Sequence, residues 1–162
     1  MPRSIASLVL LAGLLAACGD DPVPTLPVEV EGPGYRGVIL PASAWPSFGY
    51  EVDGCWAVDA EDVRRAEAAL PAAARQFAPE LEVPLDRYVR QYVGVILEGE
   101  RRLYLNLLHQ EAVRPTADDD PQDLDRWKRE LYVVNDGGNW FVEAFFDPEK
   151  SEFTELWVHG EA

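Results

Sequence analysis

Two cysteines, two histidines and a run of aspartates are the residues of this 162-residue chain with reactive chemistry to offer. Asp118, Asp119, Asp120, Asp123 and Asp125 supply hard oxygen ligands of the kind calcium takes. Their spacing does not follow the twelve-residue calcium loop, and no glycine makes its sharp turn, so the segment reads as a solvated acidic loop. His109 and His159 stand far apart, without the His-x-x-x-His spacing of a zinc site, and no metal is expected. Cys55 with either histidine would make a nucleophile–base pair only if the two met in space. In Gly54-Cys55-Trp56 the thiol reads instead as a small buried apolar group. No Gly-x-Ser-x-Gly string is present, and no pair of carboxylates stands out for sugar hydrolysis. Gly137-Gly138 lies between two strand-like runs, so it reads as a hairpin turn rather than a phosphate cradle before a helix. The expectation is a protein without catalytic residues and without a cofactor.

The first cysteine has a different setting. Arg3 is followed by an apolar run, Ile5 to Leu15, and then by Ala16, Ala17 and Cys18. The run is too short to span a bilayer, which needs roughly 20 residues. A basic start, a short apolar core and small residues before a cut describe a secretory signal peptide. Leu15-Ala16-Ala17-Cys18 resembles the lipobox of bacterial lipoproteins. The resemblance implies cleavage before Cys18, lipid (diacylglycerol and palmitate) on that residue, and an extracytoplasmic protein held to a membrane. Two or more acyl chains give stable attachment where one does not. Gly19 stands where many inner-membrane lipoproteins carry aspartate, which leans the expected location toward the outer membrane.

Residues 1–17 are thus expected to be signal, 18–34 a lipidated cysteine and tether, and 35–162 one domain. Pro22, Pro24, Pro27 and Pro33 favour an extended tether, with a short edge strand open to Val28 and Val30. The formal charge is −15, and removal of the segment containing Arg3 makes the remainder more negative still. Such a field disfavours nucleic acid and anionic lipid headgroups as partners. If Cys18 carries lipid, Cys55 cannot form an intramolecular disulfide.

Elements follow from pattern. Residues 35–58 concentrate Trp45, Phe48, Tyr50 and Trp56 among Pro, Ser and Gly, and read as irregular structure packed on the core. A helix is expected from Asp59, which caps it, through Val63, Ala66, Leu70, Ala73 and Phe77. Pro71 is expected to kink or split it. Tyr88 to Leu97 and the alternating Leu103, Leu105 and Leu107 read as a hairpin around Glu98-Gly99-Glu100. Leu131 to Val134, Trp140 to Phe146 and Phe153 to Val158 read as three more strands. The fold class is α+β, with one main helix on a 4–5-stranded antiparallel sheet, and it resembles the cystatin-like and NTF2-like architectures.

The strings Arg90-Gln91-Tyr92-Val93-Gly94, Asp136-Gly137-Gly138 and His159-Gly160-Glu161-Ala162 resemble a group of small exported bacterial proteins of no assigned activity. That group shares arginine-glutamine-tyrosine-x-glycine, an aspartate-glycine-glycine turn and an asparagine-glycine-x-alanine ending, where this chain has His159. If Val89, Val93 and Val95 face the helix, Gln91 joins them and needs a hydrogen-bond partner. Arg90, Tyr92 and Tyr104 would then form an exposed interaction surface on the open sheet face. The functional expectation is a membrane-anchored binding or structural module for an envelope protein or ligand. The alternatives are a small-molecule hydrolase or isomerase with a pocket between helix and sheet, with His109 or Asp136 pointing inward, and a protease-inhibitor-like module.

Overall fold

The computed structural model describes residues 25–46, 51–115, 125–134 and 136–160. Cys18 and the aspartates at 118–123 lie outside the described residues. The elements are β1 (Val28–Gly32), β2 (Tyr35–Ile39), β3 (Gly54–Cys55), α1 (Ala60–Phe77), β4 (Tyr88–Leu97), β5 (Glu100–His109), β6 (Phe141–Asp147) and β7 (Glu152–Val158). This is an α+β fold, one helix on a mostly antiparallel sheet.

The sheet holds seven strands in the order β1-β2-β4-β5-β6-β7, with β3 beside the far end of β4. Two strands come from residues 35–58, expected to be irregular, and β1 comes from the end of the expected tether. β2 runs parallel to β4, Gly37 opposite Arg90. Parallel neighbours need a long crossover, and here the chain passes through α1 between them. The β4–β5 hairpin closes through Glu98 and Gly99, both at positive φ (52° and 78°), which matches the right-handed twist of its strands.

Asp59 caps α1 through a capping box with Asp62. The helix is continuous across Pro71, so it neither ends nor restarts there. Proline at 71 has no N–H to donate to the Glu67 carbonyl four residues back. Val63, Ala66, Leu70 and Ala73 are buried as their spacing predicts, whereas Phe77 is exposed at the edge of the core.

Both sheet faces are covered. The helix side buries Tyr88, Tyr92, Leu103, Leu105, Leu107, Val142, Ala144 and Phe146 against α1. The other side buries Val89, Val93, Val95, Tyr104, Leu108, Phe141 and Phe145 beneath loop residues including Trp45, Trp127 and Leu131. The facing of β4 is therefore the reverse of the expected one. Its apolar residues occupy both parities, so alternation could not say which side α1 would cover.

Leu131 to Val134 is extended but pairs with no strand among the described residues, and it packs on the second face. Gly137 and Gly138 (φ 117° and 55°) consequently do not turn a hairpin. They open the 3-10 turn Gly138–Trp140, and both their N–H groups donate to the Gly160 carbonyl, at 3.1 and 3.0 Å.

The β6–β7 turn is fastened by Asp147, which is buried. Its Oδ1 accepts from the N–H groups of Glu149 and Lys150, at 2.9 and 3.1 Å. Its Oδ2 faces Lys150 Nζ at 3.1 Å and Arg102 Nη1 at 3.3 Å. Burial acts to raise its pKa but is outweighed by the bonds from Lys150, the Glu149 N–H and the Arg102 charge, so the carboxyl lies below its ordinary 3.8. A lowered carboxyl pKa stabilises the fold above the unfolded value, and that stabilisation fades as pH falls through the folded value. Asp147→Asn is expected to cost about 1–3 kcal/mol at pH 7 in urea unfolding, with the gap to wild type narrowing below about pH 4.

Candidate functional site

The arginine-glutamine-tyrosine string lies at the centre of the sheet and sends its side chains to both faces. Arg90 and Tyr92 point toward α1 and Gln91 points away. Arg90 is 1 % exposed and Tyr92 is fully buried. Arg90 Nε donates to Glu67 Oε1 at 3.2 Å, Tyr92 OH donates to the same oxygen at 2.7 Å, and Arg90 Nη1 donates to the Tyr88 carbonyl. Room for this cluster depends on Gly37, where a Cβ would come within 2.6 Å of the Arg90 carbonyl and 2.8 Å of the Tyr92 ring. Gly94, two residues on, lets the chain at Trp56 cross β4, since a Cβ there would meet the Trp56 carbonyl at 2.4 Å.

Gln91 finds its partners on the other face. Its Nε2 donates to the Glu130 and Trp127 carbonyls. Its Oε1 accepts from Asn106 Nδ2 and from the Tyr132 N–H, each at 2.9 Å. Asn106 also donates to the Tyr132 carbonyl at 2.7 Å. The pair ties the 127–132 segment onto the sheet in place of the β-ladder that Leu131 to Val134 was expected to form. The row continues to Glu143, opposite Asn106. Glu143 Oε1 lies 2.6 Å from His159 Nε2, and the pair is mostly buried.

The expected surface of Arg90, Tyr92 and Tyr104 is therefore not a surface. All three are buried, and Tyr104, opposite Val93, is on the other face from Arg90 and Tyr92. Tyr104 packs between Trp45 and Phe145. The helix–sheet layer is filled by these side chains and leaves neither His109 nor Asp136 inside it; Asp136 is exposed. Cys55 is half-buried and pairs with Val95, whereas His109 pairs with Tyr88. Seven residues of strand, about 23 Å, separate those positions. His159 is bonded to Phe141 at the same end as His109, so neither histidine meets Cys55. Among the described residues no three His, Cys, Asp or Glu side chains are grouped to hold a metal.

One end of the sheet gathers aromatic rings. Gly37 opposite Arg90 sets Tyr35 beside Tyr88. Tyr88 lies opposite His109 and meets its ring edge-on at 5.7 Å. His109 stacks on Trp140 at 5.4 Å and 23°. Three rings on the neighbouring strands β2, β4 and β5, with Trp140 from the 3-10 turn before β6, thus form a row at this end, with Tyr88 buried within it. An open groove of about 510 Å³ lies at the Tyr35 end and is lined by Tyr35, Tyr88, Arg36, Asp86, Glu31 and Gln110; His109 and Trp140 do not line it. The sequence offered His109 as a base and left Tyr35 and Trp140 unassigned. Pairing of β2, β4 and β5, with the turn before β6, assembles the row, and no local spacing contains it.

Comparison with family models, with curated proteins and with solved structures finds no match to this chain.

Two expectations follow from the buried cluster. Glu67→Ala leaves the Arg90 charge unpaired and is expected to cost about 3–5 kcal/mol in denaturant unfolding. Replacing the group together (Glu67→Leu, Arg90→Met, Tyr92→Phe) should cost less than that single change, because no buried charge is left alone. Burial pushes the Tyr88 hydroxyl up to about 12 against the opposing Arg90 charge, and burial followed by the Glu67 charge raises Tyr92 well above 10. A raised tyrosine pKa adds stability that is whole below the unfolded value near 10 and is lost as pH rises through the folded value. Absorbance titration should show two phenols silent to pH 11 in the folded chain and ionising in the usual range in urea.

Proposed function

We propose that this protein is an extracytoplasmic lipoprotein, attached to a bacterial membrane through lipid on Cys18, whose domain is a non-catalytic binding or structural module. The reading rests on the Leu15-Ala16-Ala17-Cys18 string followed by a fold whose first described strand begins at Val28. Nine residues lie between the cysteine and β1, a reach of about 28 Å when extended. That is shorter than a tether running to residue 34 would give. The strong negative charge keeps it from lying on anionic headgroups.

The internal chemistry supports a module rather than an enzyme. Arg90, Gln91, Tyr92 and Asn106 have their polar atoms engaged within the fold, and each bond holds one segment onto another. The Asp136-Gly137-Gly138 turn and the His159-Gly160 ending meet in one joint at the Gly160 carbonyl. The groove beside Tyr35 is one place open to a partner.

Metabolic labelling with an alkyne palmitate, followed by membrane fractionation, tests the address. Wild type is expected to carry label and sediment with membranes, and Cys18→Ala to lose both. An unlabelled wild-type chain in the soluble fraction would overturn the proposal.

A further inference from the structure

The two outer strands of the sheet are built differently. β1 lies between Pro27 and Pro33, which carry no N–H, and two of its five residues are glutamate. Proline and charge are the ordinary protection of an edge. β7 ends the sheet on the other side and contains no proline. Its pairing with β6 shifts between Phe145 and Phe146, where Thr154 has no counterpart. Beyond that shift Glu155–Val158 pair with Val142–Phe145 without a break.

The backbone direction along this stretch follows from its last bond. His159 N–H donates to the Phe141 carbonyl. Residues of an antiparallel strand bond a given neighbour alternately, so Trp157 and Glu155 also direct their backbone groups to β6. Leu156 and Val158 direct theirs outward, and among the described residues no hydrogen bond reaches those groups. An open groove of about 410 Å³ runs along this edge, lined by Thr154, Glu155, Leu156, Trp157 and Phe77. Four consecutive strand residues, of both facings, line it, so its floor is the strand edge itself. Phe77, 36 % exposed at the end of α1, is its wall on the helix side.

The two sides of the edge differ in chemistry. On the helix side Leu156 and Val158 continue the core toward Phe77. On the other side stand Trp157 and the exposed Glu155. A strand laid along β7 sets its side chains beside these in alternation. It must be apolar next to Leu156 and Phe77, and next to Glu155 and Trp157 it favours a cation. We propose that the outer edge of β7 takes an extended segment of another protein as an added strand, a segment that alternates apolar and basic side chains. Main-chain hydrogen bonds to Leu156 and Val158 hold it, and the side-chain alternation selects it. Exposed Glu149 and Glu152 add to the acidic field at this edge. A second copy of this chain is disfavoured, because it brings the same acidic edge and the same charge of −15. The proposal rests on the reading of the chain as a binding module and is independent of its lipid anchor.

The test is fluorescence anisotropy with the full chain in a polyoxyethylene detergent. The probe is a labelled octapeptide alternating valine and lysine. Its comparisons are a valine–glutamate octapeptide, the same valines and lysines in two blocks, and the alternating peptide methylated on every backbone nitrogen. The alternating valine–lysine peptide is expected to bind at least about tenfold more tightly than each comparison. Glu155→Lys should reverse the preference, weakening the valine–lysine peptide and admitting the valine–glutamate one. Phe77→Ala should weaken binding at least threefold. Glu29→Lys, the same charge change on β1, should leave binding unchanged. Cys18→Ala should bind as wild type, so failed anchoring and failed strand addition are read separately. Melting temperatures check folding, and Glu155→Lys carries the test if Phe77→Ala does not fold. No binding of the alternating peptide up to about 1 mM, equal binding of the block or methylated form, or a preference unmoved by Glu155→Lys would each overturn the proposal. So would sedimentation in density-matched detergent that shows a dimer which the peptide cannot compete with.

Discussion

A guanidinium buried to 1 % exposure in the middle of the sheet sets the terms for the rest of this structure. A charge taken that far from water must be met by a counter-charge and by hydrogen bonds, or the fold pays several kcal/mol. Glu67 supplies the counter-charge from α1. The same carboxylate takes the Tyr92 hydroxyl, so helix position and strand facing are set by one cluster. β2 must then pass close over Arg90, which only a residue without a side chain permits, and Gly37 occupies that position.

The opposite face uses neutral groups for a similar purpose. Gln91 and Asn106 spend their amides on the backbone of the 127–132 segment and on each other. Buried amides need such partners, and the loop needs a reason to lie on the sheet without strand pairing. Each satisfies the other. With both faces closed, the middle of the sheet has no access to solvent.

Much of this was legible in the chain. The β4–β5 hairpin shows in its strands and in Glu98-Gly99, and α1 shows in the Asp59 cap and the spacing from Val63 to Ala73. β6 and β7 are close to their expected bounds. The facing of β4 was not legible, because Tyr-Val-Arg-Gln-Tyr-Val-Gly-Val-Ile-Leu is suited to burial on both sides. A period-2 argument needs one wet face, and this strand has none. β2 was hidden by its parallel partner, about fifty residues away, and Leu131 to Val134 looked like a strand because an extended apolar segment suits a sheet face as well as a sheet edge.

By itself the sequence determined the element types over most of the described chain, the two ends of α1, the existence of the β4–β5 hairpin and the need for Gln91 to find a partner once buried. These follow from local backbone preference and from the cost of an unmet polar group, which neighbours in the chain already specify. Only the tertiary structure decided which face of β4 meets α1, that Arg90 and Tyr92 are interior while Tyr104 lies behind them, and that Tyr35, Tyr88, His109 and Trp140 stand in one row. Those outcomes depend on pairings between segments far apart in sequence, and the charge of Arg90 selects among them only when the whole sheet is in place.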